Sequence, residues 1–123
     1  MTLVSLADAP KFENSGLVFR PLAVPSRGST QLAVWTLEVP SGAATERHTV
    51  SHEELFVLQA GEARFEVGDA VHNLKAGDAV IVQPDTPLRL TNPGNAPARL
   101  TVCTSKGVLG TLNGKTIVPP WAR

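Results

Sequence analysis

The chain has 123 residues, 42% of them hydrophobic, with 11 basic side chains balanced by 11 acidic ones. That length fits one domain around one core, and the zero net charge leaves no field to draw the protein onto nucleic acid, a membrane surface or a polyanion. One cysteine, Cys103, excludes an internal disulfide framework and a cysteine-built zinc cage.

The N-terminal stretch has no basic region followed by an apolar run, and no apolar run approaches the roughly 20 residues that span a bilayer, so a soluble cytoplasmic protein is expected. Short runs rich in Val, Leu, Ile, Thr and Phe recur between Gly, Pro, Asn and Asp clusters, which predicts an all-β sandwich or barrel. In chain order, strands are expected over 17–22, 31–39, 46–50, 54–59, 63–67, 79–82, 88–91 and 98–104. Gly61 supplies a left-handed φ, Gly68-Asp69 closes a hairpin, and Asn113-Gly114 reads as a type I′ turn between 111–112 and 115–117. Pro119 and Pro120 end regular pairing. Residues 55–58, Leu-Phe-Val-Leu, are apolar on both faces of a strand, so both faces should be buried. One would face the barrel interior, the other a partner subunit or, alternatively, an N-terminal segment at 17–19.

Two glycine-bounded blocks carry most of the functional information: GAATERHTVSHEELFVLQAG over 42–61 and GDAVIVQPDTPLRLTN over 77–92. With Gly42, His48, Glu54 and Gly61 in the first and Gly77 and Asn92 in the second, the chain resembles the cupins. The resemblance implies a cupin jelly-roll β-barrel of two antiparallel sheets spanning 1–123, with leading strands in 1–40, the two motifs at 42–61 and 77–92, and a closing hairpin in 105–123. It also implies a homodimer. A typical cupin holds a divalent metal with three His and one Glu. Here Val50 and Leu88 stand where two of those His belong, Gln83 and Asp85 replace a Pro and a Gly, and only His48 and Glu54 remain.

Val50 and Leu88 have no lone pair to offer, so no metal cofactor is expected. The alternative is a divalent transition metal held by His48, Glu54 and His52, a two-His-one-carboxylate set suited to oxygen chemistry. Against it, residues four apart on a strand lie roughly 13 Å apart, which makes His52 a rim residue. The expected ligand pocket is His48, Val50, Glu54, Phe56 and Leu88, drier than a metal site and suited to apolar or aromatic molecules. Otherwise Leu88, Phe56 and Leu58 fill the core and leave little room. A buried Glu54 needs a partner or a proton, and His48 is the candidate partner.

These residues point to a small-molecule-binding protein that works without metal and is non-catalytic or only weakly catalytic. The alternatives are a metal-dependent oxygenase or isomerase with a reduced ligand set, a metal-free enzyme using His48 and Glu54 as an acid–base pair, and a purely structural dimer. Arg89 and His72 are expected in solvent, Cys103 as a small buried hydrophobe, and Trp121 as a seal for the barrel or the dimer edge.

Overall fold

Glycine, proline and asparagine punctuation divides the chain into twelve strands, and a computed structural model describes residues 1–123. They are β1 (Phe12–Asn14), β2 (Leu17–Ala23), β3 (Leu32–Val39), β4 (Thr49–Val50), β5 (Glu54–Ala60), β6 (Ala63–Val67), β7 (Ala70–Leu74), β8 (Ala79–Val82), β9 (Leu88–Thr91), β10 (Ala98–Ser105), β11 (Gly110–Leu112) and β12 (Lys115–Ile117). Short 3-10 turns cover Pro25–Arg27 and Pro120–Ala122. Six strands in the order β1-β2-β3-β10-β5-β8 make one antiparallel sheet. Opposite lie β7-β6-β9 and β12-β11-β4, joined through residues 44–48 by the bridges Ala44↔Thr91 and His48↔Leu88. This is the expected jelly roll of two antiparallel layers. No helix is long and apolar enough to cross a membrane.

Alternation builds the core. Glu54, Phe56 and Leu58 of β5, Trp35 and Leu37 of β3, and Leu100 and Val102 of β10 all turn inward. Phe56 meets Phe65 of the opposite layer at 4.9 Å between centroids, tilted by 55°, a geometry that aromatic quadrupoles favour. Buried apolar side chains from both layers form one cluster of 22.

On the outer face of β5, Leu55 and Val57 are half-buried in the single chain. Leu17 and Phe19 do not cover them, because β2 lies in the same sheet and turns both side chains inward. Cys103 is likewise half-buried, facing outward as the cross-strand neighbour of Leu55 and Val34.

Two motif positions have local reasons. Gly61 has φ 84°, and a Cβ there would sit 2.7 Å from the Pro97 carbonyl oxygen and 2.9 Å from the Ala98 Cα, so no other residue fits without moving backbone. Asp85, where the motif carries Gly, adopts φ 59°. Asp tolerates that left-handed conformation better than most residues, and the Asp85 amide donates to the Val50 carbonyl at 2.8 Å, tying the β8–β9 loop to β4.

The strand expected over 46–50 shrinks to β4 because the pairing with β9 slips by one residue between the two bridges. Within that bulge the Thr45 hydroxyl oxygen accepts the Leu90 amide at 3.0 Å in place of a backbone carbonyl. Such bulges bend a strand and re-aim its side chains.

Two strands were not anticipated. β7 exposes every side chain but Leu74, so it shows no alternation. β1 is three residues long, although its Ser15-Gly16 turn, with φ 53° and 82°, has the left-handed pair that marks a tight hairpin.

Candidate functional site

Between the two layers lies a cavity of about 340 Å³ walled by 22 residues, 12 of them hydrophobic. β5 contributes Glu54 and Phe56, β9 contributes Leu88 and Leu90, β4 contributes Val50, and the bulged segment contributes His48. The five residues singled out from sequence, His48, Val50, Glu54, Phe56 and Leu88, therefore border the same cavity, from both layers. The crowded alternative fails, since Leu88 and Phe56 border the space and Leu58 is buried away from it.

Sequence reasoning missed the rest of the wall. Phe19, Trp35 and Trp121 join Phe56 there, so four of the chain's six aromatic side chains line the cavity. Trp121 stacks on Phe19 at 3.9 Å and 15°, which packs the segment after the two prolines onto the cavity wall. The β11–β12 hairpin covers one side with Thr111, Leu112, Lys115 and Ile117. Its turn is the anticipated type I′, with φ 51° at Asn113 and 76° at Gly114.

Glu54 is 4% exposed, and burial pushes its carboxyl up to about 8. No charge or hydrogen bond in the protein offsets that burial, and since no sealed side-chain polar atom lacks a partner, its oxygens border the cavity. At neutral pH it is mainly the neutral acid, able to donate one hydrogen bond and accept others.

The His48–Glu54 pair expected from sequence does not form. The bulge turns the His48 ring to the Glu46 carbonyl oxygen, 2.8 Å from Nδ1, and the chain's one ion pair is Lys11–Glu13. Because a carbonyl only accepts, Nδ1 carries the hydrogen, and Nε2 has no hydrogen-bond partner within the protein.

The donor set does not fit the four-ligand metal site implied by the cupin motifs. Leu88 is directly opposite His48, with paired backbone bonds of 3.0 and 2.8 Å, and Val50 follows two residues on. Both put aliphatic carbon where a donor is needed. His52 supplies no substitute: its Nδ1 bonds the Ser51 hydroxyl at 2.7 Å and it lies off the cavity wall. No three His, Cys, Asp or Glu side chains converge anywhere.

Asn92, the last residue of the second motif, is structural. It is fully buried, its amide nitrogen donates to the Val39 and Ala96 carbonyls at 2.9 and 2.8 Å, and its oxygen accepts the Gly94 amide at 2.9 Å.

The family model for the cupin domain, Cupin_2, matches residues 35–104, more than half of the chain. The chain is a cupin. A relative of this cupin, the uncharacterized protein MJ1618 of Methanocaldococcus jannaschii, is 27% identical over 97 residues, 76% of this chain and 77% of its own. Among solved structures, the polyketide cyclase RemF from Streptomyces resistomycificus superposes with a TM-score of 0.74 at 17% identity, covering 85% of this chain and 79% of its own. An RmlC-like cupin from Shewanella frigidimarina gives 0.73 at 18%, covering 84% and 88%. A Cupin 2 conserved barrel domain protein from Salinispora arenicola gives 0.73 at 18%, covering 87% and 90%. At these identities the structural likeness shows the fold.

Proposed function

We propose that this cupin binds a small apolar or aromatic molecule in its barrel, directly and without a metal, as a homodimer. The observation that carries the reading is an apolar, aromatic-walled cavity of about 340 Å³ bordered by a neutral carboxyl that has no partner in the protein. Its volume falls in the range of small-molecule sites, which are mostly apolar with a few placed polar groups. Glu54 and the His48 Nε2 are those groups. Val50 and Leu88 supply apolar contact in place of ligation.

Trp35 and Trp121 are the chain's only tryptophans and both line the cavity, so intrinsic fluorescence reports on it. N-phenyl-1-naphthylamine, a neutral aromatic probe, is expected to quench them saturably in the presence of EDTA. Val50→Trp, which fills the cavity from β4, should weaken that binding at least about tenfold. Absent saturation, or a Val50→Trp variant that binds as well as the parent, would sink the reading.

The dimer rests on the outer face of the six-stranded sheet. Ile81, Leu55, Cys103 and Val34 are successive cross-strand neighbours on β8, β5, β10 and β3, and Ile81 is 60% exposed. A contiguous apolar row of that kind marks an interface. Sedimentation velocity should show a dimer that Leu55→Arg converts to a monomer, whereas a monomeric parent protein contradicts the assignment.

A further inference from the structure

The cavity runs into a polar groove at its rim. Thr45, Glu46 and Leu112 wall both spaces, and beyond them the groove is lined by Arg47, Arg89 and Glu66. Lys115, on β12, stands on the cavity side of the same rim. Three cationic side chains and two carboxylates therefore line this rim. None of the five is ion-paired, although Glu66 and Arg89 are cross-strand partners on β6 and β9. Arg47 is held in place by donation from Nη2 to the Gly68 carbonyl at 2.9 Å.

The interior is different. It holds no lysine or arginine, and besides the His48 imidazole, whose Nδ1 is taken by the Glu46 carbonyl, the one side chain there that can carry full charge is the buried Glu54. A ligand anion placed beside it would be desolvated without a counter-charge, at a cost of several kcal/mol. At the rim the same anion stays partly hydrated and meets two guanidinium forks and an ammonium.

We propose that the ligand is amphipathic, with its apolar or aromatic body in the barrel and an anionic head, a carboxylate, sulfonate or phosphate, at the rim beside Lys115, Arg89 and Arg47. This rests on the reading that the barrel takes an organic molecule. It adds the polarity and orientation of that molecule.

The test compares two probes with closely related ring systems on the full chain: neutral N-phenyl-1-naphthylamine and 8-anilino-1-naphthalenesulfonate, which adds a sulfonate. The two should compete for one site, with the sulfonate the tighter at low salt. Arg47→Ala combined with Arg89→Ala, both exposed positions that line the groove and not the cavity, should weaken the sulfonate about five- to tenfold and leave the neutral probe unchanged. Raising the salt should reproduce that selective loss by screening. Equal responses of the two probes, or no advantage for the sulfonate, overturn the anionic head while the barrel reading stands. A neutral probe that fails to bind overturns the barrel reading and this inference with it.

Discussion

Replacing Glu54 by Gln is expected to stabilise the protein at about pH 8 by on the order of a few kcal/mol, and to change little at about pH 5. Burial raises the Glu54 carboxyl from 4.5 to about 8, so the folded protein holds a proton that the unfolded chain releases near pH 4.5. Below that pH both states are protonated and the group costs nothing extra. As pH rises from there towards 8, the unfolded state gains by losing the proton, and stability falls. Above 8 the folded state carries a buried, unpaired carboxylate at full cost. Gln keeps the shape and does not titrate, so the slope disappears. Urea unfolding of both proteins across this window gives the difference directly, and other titrating groups cancel between them. A parent protein whose stability relative to Glu54→Gln does not change with pH would mean that Glu54 is solvated or paired.

The second large effect is a gain of function. Val50→His with Leu88→His should create a metal site, raising affinity for Co²⁺ at least about a thousandfold over the parent, since even outer partners of metal ligands are worth about 10–100-fold each. The geometry for it is in place. Position 88 is directly opposite His48, where cross-strand Cβ atoms lie about 4.5–5.5 Å apart, and position 50 follows His48 by two residues. Glu54 borders the same cavity and would give up its proton to a cation. Visible absorption of bound Co²⁺ reads the outcome. A double variant that binds no better than the parent would show that the backbone, rather than Val50 and Leu88, keeps metal out.

Much of the barrel was legible because half-buried strands announce themselves by alternation. The runs at 63–67, 79–82 and 88–91 lie where β6, β8 and β9 are found, with Phe65, Val82 and Leu90 turned inward. The two motifs were legible through glycines, and Gly61 shows why: its Cβ would collide with the backbone at Pro97. The site was legible as a set of inward-facing residues but not as a space. Periodicity says that Phe56 and Leu88 face inward; whether they meet in the middle depends on how far apart the layers stand. The His48–Glu54 pair failed for a related reason. The geometry implied by the resemblance puts the two side by side, whereas the bend at 51–53 carries the chain from β4 in one layer to β5 in the other and the His48 ring bonds the Glu46 carbonyl instead. Lys115, Trp121 and the hairpin wall come from the far end of the chain, and no local pattern connects them to His48.

The most direct test of an organic, metal-free site is elemental analysis by plasma mass spectrometry of untagged protein purified without chelator. The donor set described here predicts iron, manganese, nickel, copper and zinc together well below one equivalent per chain. Near-stoichiometric content of any one of them, surviving dialysis, would contradict it and return His48 and Glu54 to the role of ligands.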